Sequence, residues 1–380
     1  MTVEPHVQQA HAMLPAVTSE ERSRQEFVKS LKFHLATRVA PGNQDALRAS
    51  GVHATTPAQV GSVLGDHPYY RFWSALQRNS QEMMWKSAQL PVERQLDDLL
   101  ARAGEYGKTA GTLRLDPDLP IPRYHTAVDI HCMPGGYHAE SVPEDLASGA
   151  VYDRAVYLYA MGRLGPLNAD IGDSAAAFVR ARWPALSPHR ILDLGCTVGH
   201  STLPWIDAFP GAEVHAIDVA APVLRYAHAR ACSLGKTVHF SQQNAESTDF
   251  PDAHFDLVVS HILVHETSHT AIRRLMREAH RLLTPGGVVL HVETPPYRTL
   301  EPYDAFMLDW DTRNNNEPFW RASHALVPAD LAVESGFDPA QAFEAMAPSV
   351  FGEAEARRTG VFQSGDFGGA GAWYIWGARK

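Results

Sequence analysis

Between residues 190 and 293 the chain repeats one pattern. Apolar runs of strand length, RILDLG (190–195), EVHAID (213–218), VHFSQ (238–242), FDLVVS (255–260) and GVVLHVE (287–293), alternate with stretches of helical periodicity. Continuous apolar strands separated by helices predict a parallel sheet covered on both faces. Residues 1–150 read differently, as helices with irregular breaks. Ser19-Glu20-Glu21 opens a helix to about Ala40, where Pro41-Gly42 stops it. Asp66-His67-Pro68 opens a segment rich in aromatic residues and Met, and Pro91 starts a further helix. The first half of 126–138 alternates like a strand, and Pro134-Gly135-Gly136 turns it. After the sheet pattern come an aromatic-rich insertion (296–322), a helix (327–335) ended by Gly336, and two late strands. The last, AWYIWGARK, fits a final strand inserted beside the parallel ones.

Composition narrows the class. Hydrophobic residues make up 45% of the 380 positions, enough for a real core, so wholesale disorder is excluded. A net charge of −10 gives no broad electrostatic footprint for nucleic acid or an anionic membrane. Cys132, Cys196 and Cys232 are far apart and odd in number, which argues against a disulfide framework or a zinc knuckle. Neither a secretory leader nor a membrane-spanning run is legible, so a cytoplasmic location is expected.

The informative segment is ILDLGCTVGHST (191–202). An apolar strand ends in an acid, then a glycine, a turn, and a second glycine before a helix. Gly195 and Gly199 let a ligand lie against the backbone, and the following helix offers free N–H groups to a carboxylate. The dinucleotide fingerprint fails at Thr197 and His200, and no Gly-Lys-Ser/Thr of a phosphate loop follows.

Over about 170–295 the chain resembles the class I S-adenosylmethionine-dependent methyltransferases, of the small-molecule type found in ubiquinone and menaquinone biosynthesis. ILDLGCTVGHST is similar to the family's first motif. Asp218 ends EVHAID, Asn244-Ala245-Glu246 precedes an Asp-Phe-Pro turn, and FDLVVS and EAHRLLTPGGVVLHVE follow in order. The resemblance implies a Rossmann-like, doubly wound α/β fold with a seven-stranded sheet, mostly parallel with an antiparallel last strand. It implies S-adenosyl-L-methionine as cofactor and S-adenosyl-L-homocysteine as product. Asp193, Gly195, Cys196, Thr197 and Gly199 would cradle the methionine part. Asp218 and Val219 would meet the ribose, Asn244, Ala245 and Glu246 the adenine, and Ser260 lies at the end of the fourth strand. Two positions depart from the family's habit. Thr197 stands where Gly is usual, so it adopts φ < 0 or is strained; Asn244 stands where Asp is commoner.

Ser260–His269 contains a formal H-E-x-x-H, His265-Glu266-x-x-His269, which on one helix would suit a zinc hydrolase. His131, His138, His261, His265 and His269 can also be read as converging, and such imidazole-rich sites prefer zinc, iron or nickel. The expectation nonetheless carries no metal. His261, His265, His131 and His138 are candidate general bases, because imidazole titrates near neutrality. In the insertion, Tyr297, Tyr303, Phe306, Met307 and Trp310 are candidate walls of a substrate pocket.

The expected organisation is a mainly helical region over 1–150 that caps substrate or dimerises, then a methyltransferase domain over 151–380 with its insertion at 296–322. The expected reaction is O-, N- or C-methylation of a small-molecule substrate, with a homodimer as the expected assembly and no nucleic-acid or membrane partner. Two other readings stand beside it: an S-adenosylmethionine-binding protein without transferase activity, and a metal-dependent hydrolase using His265, Glu266 and His269.

Overall fold

The structure, a computed structural model, describes residues 7–359 and 371–380. Its centre is a sheet of eight strands. In chain order they are β1 (Thr112–Arg114), β2 (Arg190–Leu194), β3 (Glu213–Asp218), β4 (His239–Gln242), β5 (Phe255–His261), β6 (Leu283–Glu293), β7 (Ala342–Pro348) and β8 (Ala372–Arg379). In space the order is β1-β4-β3-β2-β5-β6-β8-β7. Pairing is parallel from β1 to β6, and β8 runs antiparallel between β6 and β7. The doubly wound fold and the reversed last strand agree with expectation. The strand number does not: eight are present where seven were expected, because β1 joins the edge from within the first 150 residues.

The apolar runs explain the layering. Along β2, Ile191 packs to one side with Val179 and Trp205, whereas Leu192 and Leu194 pack to the other with Ile272, Leu275 and Met276. Successive strand residues face opposite ways, and here both faces are buried under helices. A third core joins the N-terminal helices to the sheet layer: Met84, Trp85 and Val92 pack with Val151, Ala155, Val223 and Tyr226.

The N-terminal helices differ from the pattern in three places. Thr18 caps Ser19–His34 in a box with Glu21, but Pro41 does not end the run; it occupies the first turn of a new helix, Pro41–Ala49, after a π-helical step at Leu35–Val39. Pro91 lies inside the helix Pro68–Arg94 rather than starting one. The carbonyl freed by a helical proline is that of residue i−4, and Ser87 O accepts instead from the buried Gln25 Nε2 at 3.0 Å. Residues 126–138 contain no strand. His131 and Cys132 take left-handed φ of 57° and 59°, and the His131 carbonyl accepts from Trp85 Nε1 at 2.7 Å and Gln81 Nε2 at 3.2 Å.

Register places the functional edge. Leu194 stands level with Ile217 and Ser260, so Gly195, Asp218 and His261 emerge side by side at the carboxyl ends of β2, β3 and β5. Ligands bind at this edge in open α/β sheets. Among the described residues, no helix is long and apolar enough to cross a membrane.

Candidate active site

The turn after β2 is held by close packing. Gly195 has φ +69°, and a Cβ there would stand 2.6 Å from Leu263 Cδ1, so glycine answers both the backbone and the space. Thr197 has φ 45°, the strained alternative for a β-branched residue. Its N–H donates to Asp218 Oδ2 at 3.0 Å and its hydroxyl to the Cys196 carbonyl at 2.9 Å. Gly199, φ +77°, completes the bend.

Two acids flank the turn. Asp193 is buried, accepting from Thr202 Oγ1 at 2.5 Å and facing His261 Nδ1 at 3.1 Å. Asp218 accepts from the N–H groups of Thr197 and Ala220 at 3.0 and 2.9 Å. Burial pushes its carboxyl up to about 6, and each oxygen keeps a lone pair for a further donor.

Two cavities meet here and share Tyr152, Gly195, Thr197, His261 and Ile262. One is walled by Asp218, Val219, Asn244, Ala245 and Glu246. The other is walled by Asp193, Cys196, His131, His265, Asp311 and Trp320. Among the described residues, no Lys or Arg lines either cavity. Asn244 Oδ1 accepts from Glu246 N at 2.9 Å, and Glu246 is held by Tyr124 and Arg274. Ser260 does not reach the cleft; it is buried below the edge with its hydroxyl 2.6 Å from His291 Nδ1.

The histidines separate. His261 is clasped: Trp205 Nε1 donates to its Nε2 at 3.3 Å while Nδ1 faces Asp193. His138 packs on His125 and lines neither cavity. His265 and His131 both open on the second cavity. His265 Nδ1 lies 2.7 Å from Glu293 Oε2, and His131 Nε2 lies 2.9 Å from Glu266 Oε1. Burial works against charge on both rings, yet the surrounding glutamates hold both above the usual imidazole range.

The H-E-x-x-H is not on one helix. His265 belongs to a 3₁₀ turn, Val264–Glu266, and Ser268 caps a new helix, His269–Leu282, by accepting from Ala271 N. His265 is fully buried and His269 is exposed, so the pair shares no face and the hydrolase reading loses its geometry.

The insertion is split as well. Trp310 Nε1 donates to Ser74 Oγ at 2.7 Å and Phe306 packs on Tyr70. Tyr297, Phe306 and Trp310 border a separate groove against the helix Pro68–Arg94. Tyr303 reaches the Ala40 carbonyl at 3.5 Å, and Met307 is half-buried beside it in the helix Pro302–Leu308. None of the five lines the cleft. The insertion instead contributes Asp311, Asn315 and Trp320, and the helix Pro68–Arg94 contributes Gln81, Met84 and Trp85. Nothing in the sequence singles out Gln81, Met84 and Trp85 as cleft residues, whereas Asp311, Asn315 and Trp320 lie in the insertion read as a pocket wall; the half-buried Asp311, pushed up to about 7 by its surroundings and by Glu317, also marks itself by its chemistry.

Residues 191–287 match the protein family described as a methyltransferase domain. The demethylmenaquinone methyltransferase of Thermus thermophilus is 36% identical over 110 residues, 29% of this chain and 49% of that protein. A malonyl-[acyl-carrier protein] O-methyltransferase of Pseudescherichia vulneris is 29% identical over 199 residues, 50% of this chain and 74% of that protein. The chain spans about half the length of several of the curated relatives it matches. Among solved structures, phosphoethanolamine N-methyltransferase 2 of Haemonchus contortus, in complex with phosphomonomethylethanolamine and S-adenosylhomocysteine, aligns over 54% of this chain and 52% of its own. The identity is 18% and the TM-score 0.40. The Gly195 turn, Asp218 and the 244–246 wall all lie within residues 191–287, the stretch that matches the methyltransferase-domain family.

Proposed function

We propose that the chain transfers a methyl group from S-adenosylmethionine to a small-molecule acceptor and releases S-adenosylhomocysteine. One observation carries this reading: the two cavities join at the Gly195–Thr197 turn, one lined for an adenosine and the other closed by a different set of residues. The walls fit the group. The Gly195–Thr197 turn borders both cavities, Asp218 keeps free lone pairs for the ribose hydroxyls, and acids without Lys or Arg suit a cationic sulfonium.

The cofactor supplies a methyl group already activated on sulfur. The protein then has to align an acceptor and keep water out, which provides most of the rate in such reactions. Tyr152, Trp320 and Trp85 wall the acceptor side with apolar surface. His261 holds Asp193 and the turn in place; both its nitrogens are engaged, so it acts as a positioning residue. His131 and His265 border the acceptor space, where they can orient a hydroxyl or amine acceptor. The acidic walls favour an acceptor that is neutral or cationic over a phosphorylated one.

A cytoplasmic protein that pairs with a second copy is part of the same proposal, supported by the acidic net charge and by the exposed Phe27 and Phe72 on N-terminal helices. Calorimetric titration with S-adenosylhomocysteine tests the cofactor. Wild type is expected to bind, and Asp218→Ala to bind more weakly by about 1–3 kcal/mol. Wild-type protein that takes up neither the homocysteine product nor the sulfonium compound would sink the proposal.

A further inference from the structure

We propose that His131, His265 and Glu317 bind a divalent first-row transition-metal ion at the acceptor end of the cleft. One ring nitrogen from each imidazole and one oxygen of Glu317 lie within 4.8 Å of one another. Ligand atoms around a tetrahedral ion stand ~3.4 Å apart, given bonds of ~2.0–2.2 Å, a gap that small side-chain rotations close.

The outer contacts point the free atoms inward. Glu293 takes Nδ1 of His265 at 2.7 Å and leaves Nε2. Glu266 takes Nε2 of His131 at 2.9 Å and is itself fixed by the Tyr137 hydroxyl at 3.0 Å, which turns Nδ1 toward Glu317 and the Asn315 amide nitrogen, 3.2 Å away. A carboxylate behind a histidine is the usual support for a metal-bound imidazole, because it fixes the tautomer and the ring's orientation.

The inner atoms are unsatisfied. Among the described residues, His265 Nε2 and both Glu317 oxygens have no hydrogen-bond partner. Glu317 is completely buried. Its Oε1 stands 2.5 Å from His131 Nδ1, out of line for a hydrogen bond. Buried carboxylates without donors are rare, and a cation removes the anomaly. Charge agrees: Glu266, Glu293, Glu317 and Asp311 surround two imidazoles, so the group stays negative even with both rings protonated. Lys32 faces Asp311, but its ammonium is buried, held by Gln81, and pushed down to about 7.

Two imidazoles and one carboxylate select zinc, iron or a neighbouring ion over magnesium or calcium. Three protein ligands leave a coordination position open, and it faces the cavity that also holds Asn315, Trp320 and the Gly195 turn. If the methyl-transfer reading holds, on which this role rests, the ion takes an acceptor's hydroxyl oxygen and lowers its pKa, the proton leaves to solvent, and a remaining oxygen lone pair attacks the methyl carbon as its bond to the sulfonium sulfur breaks.

The test uses full-length protein stripped with a chelator and titrated with Zn²⁺, Co²⁺ and, without oxygen, Fe²⁺. The expected result is one ion per chain, with a Co²⁺ absorption spectrum typical of nitrogen and oxygen ligands. Glu317→Gln and His265→Gln should abolish stoichiometric binding, and Glu293→Gln should weaken it ~10–100-fold. S-adenosylhomocysteine titration of the same samples separates the two proposals. Protein that binds the product but none of the ions overturns the metal site alone. Protein that binds an ion but not the product overturns the transferase and leaves the site. Undiminished binding in folded Glu317→Gln or His265→Gln also overturns it. If those variants do not fold, a Co²⁺ spectrum of wild type lacking imidazole coordination does the same.

Discussion

Asp153 Oδ1 stands 2.8 Å from His200 Nε2, and so ties the helix Ala147–Tyr159 to the turn after β2. The same buried carboxylate accepts from the Tyr226 hydroxyl at 2.8 Å and pairs with Arg230 at 3.2 Å. Burial alone would raise its pKa, but Arg230 and His200 hold it well below the usual carboxylate range. Asp153→Ala would leave Arg230 charged and uncompensated, at a cost of about 3–5 kcal/mol. Urea denaturation checks this; an unchanged midpoint contradicts it. Because the folded pKa is depressed, this contribution is present at neutral pH and is lost only as pH falls through that depressed value.

Asp218 behaves in the opposite way. Its folded pKa is raised by burial, to about 6, so its contribution to folding is present in acid and lost as pH rises through 6. Cofactor binding has the reverse sign, since the ionised form accepts hydroxyl hydrogen bonds. Affinity for S-adenosylhomocysteine should rise up to ~10-fold per unit of pH below that value and then level off. Asp218→Asn should flatten the rise. An equally steep profile in the variant would assign it to another group.

Thr197 carries left-handed strain that the usual glycine would not. Thr197→Gly should recover about 1–2 kcal/mol of that strain and lose about 0.5–1 kcal/mol to the freer unfolded chain. A small rise in melting temperature with cofactor affinity retained is the expected result. A clear loss of stability would show that the Thr197 hydroxyl bond outweighs the backbone cost.

Gly195→Ala should destabilise the protein and weaken cofactor binding, because the new methyl meets Leu263 and the backbone keeps φ +69°. Adding Leu263→Ala removes the collision but not the torsional cost, so rescue should be partial. Full rescue would reduce the role of Gly195 to packing alone.

The central strands were legible because both faces of a parallel sheet are buried, which writes continuous apolar runs into the sequence. Asp218 and the Gly195 turn were legible for a related reason: they follow those strands directly. The acceptor side was not. His131, His265 and Glu317 come from three distant segments with no common spacing, and the local H-E-x-x-H offered a false partner in His269. The insertion's aromatics read as pocket walls by composition, yet Phe306 and Trp310 are consumed by Tyr70, Trp73 and Ser74 of another helix. Composition cannot say which neighbour an aromatic ring will choose. Pro91 misled because the carbonyl it frees, that of Ser87, is met by Gln25, far away in sequence.

The short edge strand Thr112–Arg114 gives the first third of the chain a share in the sheet, through its register with His239, Phe240 and Ser241. A chain shortened to begin at residue 151 would lose more than a lid. It would bare the backbone of β4 as an open seam and invite stacking with other copies. Any trimmed form of this protein has to keep Thr112–Arg114 together with the helix Pro68–Arg94 that walls the cleft.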